Sequence, residues 1–99
     1  MAPPKQPDLT EDQIQLIAKA LADPRRYEIL HKLSTQRCPT PCSNFREQID
    51  ISPATLSHHM KELETAGLIR SEKEGKFVNY VPQPQVLRAY LDRLKSDLA

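Results

Sequence analysis

The two cysteines of the chain, Cys38 and Cys42, carry its most reactive side chains, and they flank a Pro-Thr-Pro sequence. Thiolates act as nucleophiles and as ligands of soft metal ions. One interpretation is a redox switch, in which Cys42 gains reactivity from its place at the start of a helix. A second is a thiophilic ion, arsenite or zinc, bound with the help of His31 or a partner chain. The third is that both cysteines simply pack a connector. The spacing alone leaves all three open.

A second set of polar side chains lies in the segment from Ser52 to Ile69, S-P-A-T-L-S-H-H-M-K-E-L-E-T-A-G-L-I. Ser52 can cap a helix, Pro53 suits its first turn, and Gly67 can take the left-handed conformation that ends it. The apolar residues repeat with a helical period and predict one buried face: Leu56, Met60 and Leu63. The exposed face then carries Ala54, Thr55, His58, Lys61 and Thr65. A capped helix with a short polar face is what reading a DNA groove requires.

The remaining segments must position this helix, and their patterns predict a mainly α fold with a β-hairpin. Tyr27, Leu30 and Leu33 are predicted to face inward from the second helix. The predicted helices are one that starts at Thr10 and is ended by Asp23-Pro24, one from there to about Gln36, one from Pro41 to about Gln48, and one that starts at Pro53 and is ended by Gly67. A hairpin of Leu68–Glu72 and Phe77–Val81 follows, with its tip at Glu74-Gly75-Lys76, and a last helix runs from Gln85 to Leu98. This order, α-α-α-α-β-β-α, is that of a winged helix-turn-helix, with the hairpin as the wing.

Length and composition limit the classes of function. A chain of 99 residues is one domain, which we place at residues 9–99, with a proline-rich, disordered arm at residues 1–8. No apolar run approaches the roughly 18 residues of a membrane span, and no signal peptide is evident, so we expect a cytoplasmic protein without a membrane partner. There is no glycine-rich phosphate loop or nucleophile motif, which argues against an enzyme and against a cofactor. The net charge is only +1, so any affinity for DNA must come from how the charges are placed.

Three segments resemble the ArsR/SmtB family of winged-helix repressors, and they occur in the family's order. The segment A-L-A-D-P-R-R-Y-E-I-L at residues 20–30 resembles the family's "ALADPTRLRIL". Residues 52–69 resemble its "SQSTVSHHLKxLxxAGLV", and residues 70–80 resemble its "RREGRxxxY" wing. The resemblance implies a homodimer joined through the first and last helices. It also implies repression of a promoter that a metal, a redox signal or another stimulus relieves.

A symmetric dimer would place two recognition helices in major grooves about 10 bp apart, which predicts an inverted-repeat operator in double-stranded DNA. The predicted contacts to base edges or the groove are Ala54, Thr55, Ser57, His58 and Lys61. The predicted phosphate contacts are Lys61, Arg70, Lys73 and Lys76, with Arg25 and Arg26 as weaker candidates. His59, beside Met60, is expected to be a partly buried ring. The rival hypothesis is a winged helix that binds a protein, which the low net charge favours.

The family's metal-binding residues do not carry over to this sequence. Aligned back from Ser57-His58-His59, the two cysteines of the family's "ELCVCDL" box fall on Pro41 and Ser43, with Cys42 between them. The last helix contains no histidine, so the zinc site that some members build there is absent as well. We therefore predict no metal site of the family type, and a repressor responsive to arsenite or zinc remains an alternative through Cys38 and Cys42.

Overall fold

The computed structural model describes residues 7–35, 40–41 and 51–99 of the protein. The elements in these ranges are α1 (Glu11–Leu21), α2 (Pro24–Thr35), β1 (Thr40–Pro41), α3 (Pro53–Thr65), β2 (Ile69–Glu74), β3 (Phe77–Pro82) and α4 (Pro84–Leu98). The helices and the hairpin follow the order that the sequence predicts. Most of the predicted arm lies outside the described residues, as do both cysteines. None of the helices in the described ranges is long and apolar enough to cross a membrane.

Side-chain caps begin the helices where the sequence predicts them. Thr10 Oγ1 accepts a hydrogen bond from the backbone N–H of Gln13 at 3.1 Å, and Ser52 Oγ accepts one from Thr55 at 3.2 Å. Asp23 Oδ1 accepts from the backbone N–H groups of Arg25 and Arg26, at 2.8 and 3.4 Å. These bonds satisfy donors that the first turn of a helix leaves without partners. They also lower the pKa of Asp23, with the bond from Arg25 as the largest cause.

One hydrophobic core joins the helices to the base of the wing. The predicted face of α3 is buried, and it packs with residues from α1, α2, β2 and α4; the core includes Ile17, Ala20, Ile29, Leu30, Leu33, Leu56, Met60, Leu63, Leu68, Ile69 and Val86. The prediction that Tyr27 faces inward is wrong, because its side chain is 60% exposed and stacks on His31 with the ring centroids 6.4 Å apart. Successive residues of an α-helix are rotated by about 100° around its axis, so Tyr27 lies to one side of the stripe formed by Ile29, Leu30 and Leu33. The half-buried Arg26 occupies the core-facing position of that turn.

The wing belongs to a three-stranded antiparallel sheet of order β1-β3-β2. In the hairpin, Ile69 pairs with Pro82 and Glu74 pairs with Phe77, around a turn at Gly75, whose φ is 62°. The prediction that Pro41 begins a helix is wrong, since Pro41 lies in β1 and pairs with Asn79. A residue before proline is biased to extended backbone, and proline is tolerated on an edge strand, so Thr40-Pro41 suits this place. The rest of the predicted helix up to Gln48 lies outside the described residues.

Candidate nucleic-acid interface

The exposed face of α3 carries every residue that the sequence predicts for groove contacts. These residues are Ala54, Thr55, Ser57, His58 and Lys61, and all five are exposed. The neighbouring Leu56, Met60 and Leu63 are fully buried. The helix is therefore fixed by one side while the other side remains open to a ligand. Polar and methyl groups on such a face can reach base edges in a major groove.

The first turn of α3 holds Thr55 in a defined arrangement. Ser52 Oγ donates a hydrogen bond to Thr55 Oγ1 at 2.8 Å, and the same Ser52 oxygen accepts from the Thr55 backbone N–H. This pairing uses the Ser52 hydroxyl hydrogen and leaves the Thr55 hydroxyl its own hydrogen to donate. The N-terminal end of α3 also carries the positive end of the helix dipole, which favours a nearby phosphate.

The two adjacent histidines of α3 lie in different environments. His58 is exposed, whereas His59 is buried with 6% of its surface exposed, as the sequence predicts. Their ring centroids are 5.9 Å apart. Burial is the largest cause of a lowered pKa at His59; Asp23 acts in the opposite direction, and Arg26, His58 and Arg25 lower the pKa further. His59 is therefore an internal residue, and His58 is the one available to a ligand.

Arg26, a weaker candidate for a phosphate contact, lies inside the protein. Its side chain is only 15% exposed, with Nε donating to the Ala20 carbonyl at 2.9 Å and Nη2 to the Lys19 carbonyl at 3.2 Å. Nη1 lies 3.5 Å from His59 Nδ1 and 4.0 Å from Asp23 Oδ2. Its donors are thus directed to internal acceptors, which argues against a phosphate contact by Arg26. Arg25 is half exposed and lies 4.0 Å from the Glu28 carboxylate.

The basic residues of the wing are exposed, but acidic neighbours offset part of their charge. Arg70 forms an ion pair with Glu72, and Asn79 Nδ2 donates to the Glu74 carboxylate at 3.0 Å. Because side chains alternate along a strand, Arg70 lies on one face of β2 and Lys73 on the other. Lys76 follows Gly75 at the tip, where the surrounding space is open. The positive charge of the wing is therefore concentrated toward its tip.

Two glutamines, whose role is not evident from the sequence, hold the C-terminal end of α3. Gln13 Nε2 donates to the Ala66 carbonyl at 3.3 Å, and Gln83 Nε2 donates to the Gly67 carbonyl at 2.9 Å. Gln13 comes from α1, and Gln83 directly precedes α4. In the sequence, Thr10 and Gln13 form a capping-box pattern, yet the Gln13 side chain binds a distant carbonyl. The C-terminal end of α3 is thus joined to two other helices.

The described residues contain no group of three or more His, Cys, Asp or Glu side chains arranged to hold a metal ion. Cys38 and Cys42, with their three interpretations, lie outside those residues.

Comparison with known sequences finds DNA-binding regulators. A family model described as a helix-turn-helix domain matches residues 21–72. The arsenical resistance operon repressor of Staphylococcus xylosus is 36% identical over 87 residues, which are 87% of this chain and 77% of that protein. Cadmium resistance transcriptional regulatory proteins of Listeria innocua and Lactococcus lactis also match, and the chain spans about half (51%) of their length.

Solved structures give the same fold. An ArsR-like transcriptional regulator from Rhodococcus sp. RHA1 aligns with a TM-score of 0.76 and 25% identity, covering 86% of this chain and 78% of that one. A homodimeric winged helix-turn-helix DNA-binding domain from Mycobacterium bovis aligns with a TM-score of 0.70 and 23% identity, covering 92% and 90%. The winged helix-turn-helix fold predicted from the sequence is confirmed.

Proposed function

Because this chain belongs to the ArsR/SmtB family of DNA-binding transcriptional repressors, we propose that it represses its target as a homodimer bound to an inverted-repeat operator. The observation that carries the proposal is the face of α3, on which the five predicted groove residues are all exposed. We assign the chain no enzymatic activity, and we place it in the cytoplasm with the DNA that it binds. Residues 9–99 form the functional domain in this proposal, preceded by the arm at residues 1–8.

In the proposed complex, α3 lies in the major groove of operator DNA. Ser57 and His58 exchange hydrogen bonds with base edges, while Ala54 and the Thr55 methyl group touch thymine methyl groups. The lysines and the arginine that bind phosphate set affinity and register, because phosphate contacts do not read sequence. These phosphate contacts are Lys61 on α3 and Arg70, Lys73 and Lys76 on the wing.

The proposed dimer joins two copies through α1 and α4. Both helices carry large apolar side chains that the single chain leaves exposed: Leu16 on α1, and Leu91 and Leu98 on α4. Arg93 of α4 forms an ion pair with Glu11 of α1, so the two helices lie next to each other in the single chain. A domain of this size buries a limited core, and covering these residues in a dimer adds apolar burial. The fold neighbour that is described as homodimeric supports the formation of a dimer.

Release from DNA is the regulatory part of the proposal, and it involves Cys38 and Cys42. Either oxidation of the two thiols or binding of a thiophilic ion such as arsenite would signal release. The relatives named for arsenical and cadmium resistance support the second route. The absence of the family's cysteine box at Pro41 and Ser43 supports the first, since the family's ligands are not reproduced.

The first experiment measures binding to the DNA upstream of the chain's own gene. Fluorescence anisotropy with that DNA and with a scrambled duplex of equal length would show tighter binding to the first. The affinity should fall steeply with salt, since each phosphate contact releases counterions. Sedimentation at micromolar concentration should give a dimer. Equal affinity for both duplexes would refute the proposal, and binding without salt dependence would favour a protein-interaction module.

A further inference from the structure

We propose that Arg26 is a positioning residue for DNA binding, which holds α3 in place through the neutral ring of His59, so that protonation of this ring frees the helix. The inference rests on the proposed binding of DNA by α3. In this role Arg26 does not itself contact DNA.

The guanidinium of Arg26 is fixed at the end of α1. Its Nε and Nη2 donate to the carbonyls of Ala20 and Lys19, which belong to the last turn of that helix. The Lys19 carbonyl also accepts from the backbone N–H of Ala22 at 3.3 Å, and a cation beside the carbonyls of the last turn interacts well with the helix dipole. Because Nε and Nη2 of the planar guanidinium are fixed in this way, Nη1 points between His59 Nδ1 at 3.5 Å and Asp23 Oδ2 at 4.0 Å. Arg26 thereby connects α1, α2 and α3 through one planar group.

The contact with His59 is attractive only when the ring is neutral. Arginine has donors and no acceptor, so His59 Nδ1 must present its lone pair, with the ring hydrogen on Nε2. Protonation adds the ring's second N–H hydrogen, at Nδ1. The positively charged ring then faces the positively charged guanidinium of Arg26. The ring is buried, so water cannot screen this repulsion well. The protonated ring is therefore expected to leave its place, and α3 moves with it.

The charges around the ring favour its neutral form. From the α1–α2 junction and α2, Asp23 acts in favour of protonation, whereas Arg25 and Arg26 act against it. His58 on the same helix also acts against it. The charged groups that act on the His59 pKa therefore come from α2, from its junction with α1 and from α3 itself. Among the described residues, the charged side chains of α1 and β2, which also pack on α3, are not part of this set. Burial is the largest cause, and the pKa of His59 is lowered from its ordinary value of 6.5.

DNA binding is sensitive to the place of α3, because two recognition helices must meet two grooves about one DNA turn apart. In a dimer, each protomer must keep its His59 ring unprotonated to bind. At pH values below the lowered pKa of His59, the affinity for the operator should therefore decrease, with a limiting slope of about tenfold per pH unit for each protomer. The test compares proteins that all keep His58, so that any contribution of this exposed ring to operator binding is common to them.

The experiment compares pH profiles of operator affinity between about pH 8 and about pH 5, the range in which histidine titrates. The wild-type protein is expected to lose affinity in acid, and His59→Gln is expected to lose much less, since glutamine can accept from Arg26 without titrating. Circular dichroism at each pH restricts the comparison to folded protein. Equal acid losses in these two folded proteins would overturn the proposal.

A second comparison uses the neighbouring arginine as a control. Arg26→Gln and Arg25→Gln remove the same charge, but only the first removes the connection between helices. Arg26→Gln is expected to weaken operator binding on the order of 10–100-fold at about pH 8, as misplacement of a binding group does. Arg25→Gln should weaken it by less than about threefold, as loss of an exposed charge does. Equal effects of the two changes in folded protein would refute the positioning role.

Nuclear magnetic resonance of the His59 ring gives a readout that needs no DNA. Arg26→Gln should raise the pKa of His59 more than Arg25→Gln does, since Arg26 lies closer and acts more strongly on the ring. An unchanged His59 titration in Arg26→Gln would overturn the inference even if operator binding is confirmed. Failure of the wild-type protein to select operator DNA at any pH, with the His59 shift present, would instead refute the proposed function.

Discussion

Replacing Gly67 with alanine should destabilise the protein through two separate effects. Gly67 has a φ of 84°, in the left-handed region, where an L side chain costs about 1–2 kcal/mol. An alanine Cβ would also lie 2.7 Å from Gln13 Nε2, which must then move and give up its bond to the Ala66 carbonyl. Loss of such a hydrogen bond costs about 0.5–1.5 kcal/mol. The free energy of unfolding is therefore expected to fall by about 1.5–3.5 kcal/mol.

Gly75 provides a matched control for the Gly67 prediction. Its φ is 62°, but a Cβ placed there has nothing within 4 Å, so Gly75→Ala carries only the backbone cost. Urea denaturation followed by circular dichroism gives the free energy of unfolding for both variants. In a Gln13→Ala background, the cost of Gly67→Ala should decrease to that of Gly75→Ala, because the displaced side chain is gone. The same cost for both glycines in the wild-type background would refute this reasoning.

Four further predictions concern the cap, the wing, the thiols and the buried ring. Ser52→Ala removes the cap of α3 and should lower the free energy of unfolding by about 1 kcal/mol, measured by urea denaturation; an unchanged midpoint would contradict it. Lys76→Gln should weaken binding to operator and scrambled DNA alike and reduce the salt slope by about 0.9 per protomer, and a loss confined to the operator would show a base contact instead. Cys42→Ser should bind DNA normally but lose any release by oxidant in fluorescence anisotropy, and unchanged oxidant sensitivity would eliminate the redox interpretation. The pKa of His59 is lowered on folding, so the unfolded chain binds more protons than the folded protein below about pH 6.5. Above that pH, His59 does not reduce the free energy of unfolding. As the pH drops toward the lowered pKa, the free energy of unfolding should decrease. Urea midpoints of His59→Gln should lack this part of the acid loss, and a loss as large as in the wild type would place its origin elsewhere.

The features that the sequence predicts well are those fixed by neighbouring residues. The cap at Ser52 depends on the backbone of Thr55, three residues away, and the buried face of α3 follows from a period within one helix. The hairpin turn at Gly75 is also local. In each case the energy that decides the structure lies within a few residues of the chain.

The features that the sequence does not predict depend on distant partners. Pro41 follows a helix-start pattern, but pairing with Asn79 of β3 decides its conformation. Tyr27 lies next to the apolar residues of α2 in sequence, but the packed core decides which side of that helix faces inward. Arg26 takes the inward-facing position instead of Tyr27. The bond from Gln13 reaches a backbone carbonyl 53 residues away, and a carbonyl has no signature in the sequence. The two faces of α3 could therefore be predicted, whereas the distant groups that hold its C-terminal end could not.

The amide clamps of Gln13 and Gln83 at the end of α3 carry no net charge. Dissolved ions weaken attraction between charges, but they act little on hydrogen bonds between neutral groups. Concentrated salt should therefore detach the protein from DNA while these clamps continue to hold α3. Detachment by salt is then a loss of attraction without a loss of shape, and the same molecules should bind again when the solution is diluted.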